Sequence, residues 1–265
     1  LHLMEEPGFL TVDLPVPDGD ERRRIAEGFG LILRRGLQDF ASAGSTPYLA
    51  GALFAERPSG VPRARDWCAF LARRRGGSLT EVTEAWFADY VRLLLPPMLY
   101  AFFGQGVVFE PHQQNVLVAL ADGWPDRIAL RDLEGLKLVR GRFPAHRMAH
   151  VDSRTQESFW YEAERGWDRL AYCLLVNQLC EAIPHLAEGA GPSEARLWQV
   201  VARELKVWQA THGDSRSRIA LDALLAGAPL PAKANLLTRF RQDPDRASGY
   251  IPLANPMAQE AAPWS

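Results

Sequence analysis

The chain has 265 residues, 47% of them hydrophobic and 23% charged, with a formal net charge of -2. This is the balance of a folding globular domain, long enough to bury a substantial core, and it excludes a disordered segment. With basic and acidic residues interspersed there is no long-range field to hold a polyanion or a lipid surface, so neither nucleic acid nor a membrane is expected as a partner.

The chain opens Leu1-His2-Leu3-Met4, without the basic stretch and apolar run of a secretory signal. From Asp20 to Phe40 the residues Ile25, Phe29, Ile32, Leu33 and Leu37 recur at helical spacing and predict an amphipathic helix. Two more helices are expected over Thr46–Glu56 and Arg63–Arg75, separated by Pro58-Ser59-Gly60. Ser78-Leu79-Thr80-Glu81 has the form of a capping box and predicts a long helix that kinks or ends near Pro96-Pro97. That proline pair, with Gly104 and Gly106, also breaks the most apolar run, which cannot supply the ~20 residues of a membrane span.

Beyond Gly106 four β-rich runs follow: Val107–Phe109, Val116–Leu120, Ile128–Leu130 and Leu136–Val139. Asp122-Gly123 and Glu134-Gly135 are turn dipeptides between them, so a small antiparallel sheet of three or four strands is expected. Helical spacing returns from Asp168 to Leu186 and from Ser193 to Ala210, with Asp168 and Ser193 as candidate N-caps. Two shorter helices and a tail bearing Pro244, Pro252 and Pro256 complete the chain. The fold class that follows is α+β, mostly helical around one small central sheet, in a single domain over 1–265.

The densest polar cluster is Glu110-Pro111-His112-Gln113-Gln114-Asn115, directly before one β run, with Arg131-Asp132-Leu133-Glu134-Gly135 directly after the next. If the two runs pair as a hairpin, both segments emerge at one end, and Glu110, His112, Gln114, Asn115, Asp132 and Glu134 converge there. Carboxylate and amide oxygens are the hard donors that Mg²⁺ accepts beside phosphate oxygens and water. A histidine among them can orient a phosphate or stabilise charge developing in acyl transfer. Taken singly, each segment is also an ordinary turn or salt bridge.

A kinase-like phosphotransferase carries metal ligands in a similar frame, an Asn before a hairpin and an Asp after it. Gln113 and Gln114 stand where such an enzyme needs a catalytic aspartate, however, and no Gly-rich loop precedes them. His146 and His150 have the spacing of a helical metal pair, but the stretch has no apolar face. The tryptophans at 86, 160, 167, 198 and 208 sit at helical spacing and are expected in the core. Cys68, Cys173 and Cys180 form no paired or clustered framework.

The segments Phe109–Asn115, Leu130–Gly135 and Tyr250–Pro256 together resemble the carboxy-terminal, palm-like and FhuF-like half of the IucA/IucC (aerobactin-type) siderophore synthetases, which work independently of ribosomes and peptide synthetases. The resemblance runs from Glu5-Glu6-Pro7 to Asn255-Pro256. It implies a cytoplasmic ligase of siderophore biosynthesis that activates citrate or a related acid with ATP and Mg²⁺ as an acyl-adenylate, which an amine or alcohol then attacks. It implies Glu110 and Asp132 for Mg²⁺ or ATP, Gln114 and Asn115 for nucleotide contacts, and His112 for a phosphate or the developing oxyanion. Arg169, Tyr172 and Lys233 fall where the family binds its carboxylate substrate, and a homodimer is favoured. The family's amino-terminal half, with its triphosphate-binding His-Pro and Ser/Thr/Arg segments, has no counterpart here, so the chain is expected to bind ATP weakly and to have little activity alone. Two other readings remain: ferric-siderophore reduction, which needs clustered cysteines that are not seen, and a binding domain without catalysis.

Overall fold

A computed structural model describes residues 1–16, 19–242 and 249–261. The chain opens with β1 (His2–Leu3), β2 (Gly8–Thr11), α1 (Asp20–Gly28) and β3 (Gly30–Leu33). The single helix expected from Asp20 to Phe40 is therefore half replaced. Gly28 and Gly30 weaken the helix, and Gly30–Leu33 pairs antiparallel with Gly8–Thr11 instead. Next come β4 (Ser45–Leu49) and α2 (Ala50–Phe54). Here too the expected helix is shortened, because Thr46 and Tyr48 are strand formers that find a partner strand, and only Ala50–Phe54 is helical.

The next two helices keep their expected starts. α3 (Arg63–Arg75) is closed by Gly76 in the left-handed conformation, at φ 71°. α4 (Leu79–Leu99) begins with the capping box: the Glu81 N–H donates to Ser78 Oγ at 3.2 Å and the Ser78 N–H to Glu81 Oε2 at 3.4 Å. Pro96 and Pro97 lie inside this helix, which runs on to Leu99 and then widens into a π-helical turn, Tyr100–Gly104. The prolines leave the Arg92 and Leu93 carbonyls without their usual helical donors but do not end the helix.

β5 (Val107–Val108), β6 (Val116–Ala121), β7 (Trp124–Leu130) and β8 (Lys137–Val139) are the four expected β runs. β6 and β7 form a hairpin closed by Asp122 and Gly123, both at positive φ (51° and 84°), as a two-residue turn of this kind requires. The four runs do not share one sheet. The hairpin is flanked by β4 on one side and β1 on the other, in the order β1-β7-β6-β4, and β1 runs parallel to β7, so the central sheet is mixed. β5 and β8 pair with each other in a second sheet completed by a later strand. The chain turns away from the central sheet at Asp132, whose φ of 61° is left-handed.

α5 (Ser153–Phe159), β9 (Trp160–Tyr161) and α6 (Ala163–Ala171) follow, β9 lying parallel to β8. Asp168 is not an N-cap: the helix starts at Ala163 and continues past Asp168 through a π-helical segment, Tyr172–Cys180, into α7 (Glu181–Ala187). Burial, with Glu164 nearby, raises the Asp168 carboxyl above its usual range. α8 (Glu194–His212) does start at its expected cap, the Arg196 N–H donating to Ser193 Oγ at 3.3 Å. α9 (Ser215–Leu225), β10 (Leu230–Lys233), α10 (Asn235–Phe240) and β11 (Tyr250–Leu253) complete the elements, β10 and β11 pairing antiparallel. Pro244 lies outside the described residues.

One face of the central sheet, carrying Val116, Val118, Leu120, Ile128 and Leu130, packs into the main core with α4 and α8. The other face, carrying Leu117, Ala119 and Ala129, is covered by Met4 and Phe40. Burial on both sides explains why β6 reads as an unbroken apolar run. Trp86, Trp198 and Trp208 are core residues, as their spacing suggests, whereas Trp160 and Trp167 are only half-buried. The architecture is α+β, and among the described residues no helix is long and apolar enough to cross a membrane.

Candidate functional site

Val116 and Leu130 are the paired residues at the open end of the β6–β7 hairpin, which brings the segments before and after it together. The Arg131 N–H donates to the Asn115 carbonyl at 3.0 Å, continuing the ladder one step into the loops. The loop before β6 is wound tightly: the Asn115 and Val116 N–H groups both donate to the His112 carbonyl, at 2.9 and 3.2 Å. It is also pinned from outside, where the Gly51 N–H donates to the Gln113 carbonyl at 3.0 Å and Gln113 Nε2 to the Gln178 carbonyl at 3.4 Å.

The result is a polar cavity of about 400 Å³. Glu110, His112, Gln114, Asn115 and Asp132 line it, and Arg169 reaches it from α6. Glu134, Gly135 and Lys137, from the turn and strand that follow Asp132, form the remaining wall. Asp132 holds its place through left-handed backbone that few non-glycine residues adopt, a strain common at functional positions.

Arg169 is the electrostatic centre of the wall. Its Nη2 lies 2.5 Å from Glu110 Oε1 and its Nη1 donates to Tyr161 Oη at 3.1 Å, while its buried Nε makes no hydrogen bond. The pair has room only because residue 135 is glycine: a Cβ there would lie 1.6 Å from Glu110 Oε2. Burial lowers the His112 pKa, and the charges of Glu110 and Asp132 oppose it. His112 thus favours the neutral imidazole, which can accept a proton or a hydrogen bond near neutral pH.

Tyr172 and Lys233 do not line this cavity. The Tyr172 ring lies 5.9 Å from that of Tyr250, and Lys233 pairs with Tyr250 across β10 and β11, so both gather at Tyr250. Lys137 was not foreseeable from periodicity, because it lies in an apolar β run; its one signal was a charged residue two positions after a turn glycine. A larger hollow of about 870 Å³ beneath the β2–β3 hairpin shares only Glu134 with the polar cavity and is mainly apolar.

Hard oxygen donors from Glu110, Asp132 and Asn115 suit Mg²⁺. Among the described residues no three His, Cys, Asp or Glu side chains are close enough to hold a metal ion by themselves. Burial pushes the thiols of Cys68 and Cys173 up to about 12 and that of Cys180 to about 11, and the three do not gather. His146 and His150 are exposed, on and just beyond a 3₁₀ turn.

Residues 84–248 match the family described as ferric iron reductase FhuF-like transporter. The chain is 30% identical over 175 residues to the L-2,3-diaminopropanoate–citrate ligase of Staphylococcus aureus, covering 66% of this chain and 30% of that protein. It is 27% identical to the spermidine-citrate ligase of Bacillus anthracis, over 97% of this chain and 42% of the relative. Its fold superposes on ATP-bound aerobactin synthetase IucA of Klebsiella pneumoniae with a TM-score of 0.78 at 23% identity, covering 97% of this chain and 43% of that one. The chain thus spans less than half the length of these relatives.

Proposed function

The chain belongs to the IucA/IucC family of siderophore synthetases, through their FhuF-like region, and from that premise we propose that it is the carboxy-terminal, palm-like portion of an ATP-dependent ligase of siderophore biosynthesis, acting in the cytoplasm. The observation that carries this reading is the convergence of Glu110, His112, Gln114, Asn115, Asp132 and Arg169 on one polar cavity. The relatives named as citrate ligases support a citrate-like acid condensed with an amine as the substrate class, and the sequence resemblance extends the nucleophile to an alcohol.

In this reading Glu110 and Asp132 hold Mg²⁺, which would offset the charge of the nucleotide's phosphates, and Gln114 and Asn115 contact the nucleotide. A carboxylate oxygen of the acid bonds to the α-phosphorus as pyrophosphate leaves; the amine or hydroxyl then bonds to the acyl carbon as AMP leaves. Neutral His112 is suited to take a proton from the incoming nucleophile or to hydrogen-bond the tetrahedral oxygen. Arg169 faces the acid, with Tyr172 and Lys233 outside the cavity lining, gathered at Tyr250. The basic and hydroxyl groups needed around a triphosphate belong, in this proposal, to the amino-terminal half of the synthetase, and the isolated chain turns over slowly or not at all.

Ferric reduction is not the reading proposed, because Cys68, Cys173 and Cys180 form no cluster among the described residues that could hold an iron–sulfur centre. The test is hydroxylamine trapping of the activated acid with Mg-ATP and citrate, succinate or 2-oxoglutarate, using the chain alone and joined to the amino-terminal half. Hydroxamate from the joined protein that is lost in His112→Ala supports the proposal. Absence of hydroxamate from both forms would overturn it.

A further inference from the structure

Tyr161, the last residue of β9, draws three cations to one aromatic ring. The Arg165 guanidinium lies 4.4 Å from the ring centroid, that of Arg169 5.7 Å, and the Lys137 ammonium 6.0 Å. Lys137 also lies 5.7 Å from the centroid of Phe159. The backbone enforces this gathering: β8 and β9 run parallel with Val139 opposite Tyr161, and α6 starts two residues later and carries Arg165 and Arg169 back over the same ring.

The three cations are not equivalently placed. Arg169 is paired with Glu110. Lys137 is half-buried in the cavity wall, and no carboxylate of the described residues forms an ion pair with it. Two aromatic faces offer it only weak compensation. Burial and the neighbouring Arg169 lower its pKa, and the charges of Glu110 and Glu134 oppose this without forming an ion pair with it. An anionic group entering the cavity beside Arg169 would supply that pair.

Resting on the reading that the acid substrate occupies this cavity, we propose that Lys137 binds a carboxylate of the acid other than the one activated, and so sets a preference for acids with an additional carboxylate. Arg169 and Lys137 then form a two-point cationic set matched to a polycarboxylate. Tyr161 acts as a positioning residue, keeping Arg169 and Lys137 on one side of the cavity.

Two acids on the same three-carbon frame provide the test: tricarballylate has three carboxylates, and glutarate lacks the central one. Their binding to the chain joined to the amino-terminal half is measured by titration calorimetry with Mg²⁺ and a non-hydrolysable ATP analogue, for wild type, Lys137→Met and Lys137→Arg. Wild type should favour tricarballylate by roughly ten-fold, the scale of one charge-assisted hydrogen bond. Lys137→Met should erase that ratio while leaving glutarate affinity within about two-fold, and Lys137→Arg should restore most of it. Unchanged discrimination in Lys137→Met, or an equal loss for both acids, overturns the assignment of Lys137 and leaves the ligase reading standing. If wild type binds neither acid, both fall.

Discussion

Glu110 and Arg169 approach to 2.5 Å across the mouth of the hairpin, one from the loop before β6 and the other from the last turn of α6. The side chains are only 22% and 19% exposed, so the pair is shielded from solvent, and it joins the two halves of the cavity. In the proposed reaction these same groups face different partners, Glu110 a metal and Arg169 a carboxylate. Removing one member leaves the other's charge uncompensated. Glu110→Gln and Arg169→Met should each lower unfolding free energy by about 2 kcal/mol, and the double variant by less than the sum. Urea unfolding of the four proteins measures the coupling, and strict additivity would exclude it.

Gly135→Ala separates function from folding. Its φ is not in the left-handed region, so alanine brings no backbone strain, yet the new Cβ collides with the Glu110 carboxylate. The carboxylate is the mobile end of a side chain and will move aside. We expect melting within a few degrees of wild type and a loss of hydroxamate formation by roughly ten-fold or more. A large fall in melting temperature instead would mean that Glu110 cannot relocate.

The lowered pKa of His112 has a defined effect on stability. Between its folded value and the ordinary 6.5 the unfolded chain binds more protons, so this residue's contribution rises with pH in that window. It is fully present above 6.5 and is lost as pH falls through the folded pKa. His112→Gln removes it, so the stability drop from pH 7.5 to pH 5.5 should be smaller in the variant, by chemical denaturation at both pH values. An equal drop in both proteins would show that His112 is not held neutral.

At the other end of the hairpin, Gly123 has φ 84° and its Cβ position lies 2.4 Å from the Trp67 ring, while its carbonyl accepts the buried Trp86 Nε1–H at 2.9 Å. Gly123→Ala should cost about 2–4 kcal/mol, combining strain at positive φ with overpacking. Asp122→Asn should cost less than about 0.5 kcal/mol, because asparagine also tolerates the left-handed region. Thermal melts of the two variants make the comparison.

Asn255 belongs to the closing segment that resembles the siderophore synthetases, yet its contacts are structural. Its Nδ2 donates to the Leu224 and Ala228 carbonyls at 2.9 and 2.8 Å, and its Oδ1 accepts from the Met257 N–H at 3.0 Å. Asn255→Ala should lower stability by about 2 kcal/mol through buried groups left unpaired. Acid affinity should be unchanged where the protein stays folded, which calorimetry below the melting point would check.

Local chemistry in the sequence was sufficient for the Ser78–Glu81 capping box, the Ser193 cap, the Asp122-Gly123 turn and the convergence of Glu110 through Asn115 with Asp132. Each depends on residues near one another or on a two-strand hairpin whose period fixes which ends meet. Tertiary structure alone decided that Gly30–Leu33 and Ser45–Leu49 are strands, because a partner strand elsewhere satisfied their backbone better than a helix would. It alone separated β5 and β8 from the central sheet, by pairing them with each other and with β9. It also set Lys137 and Tyr161 beside Arg169, since the parallel pairing of β8 with β9 is a long-range contact that no local pattern encodes.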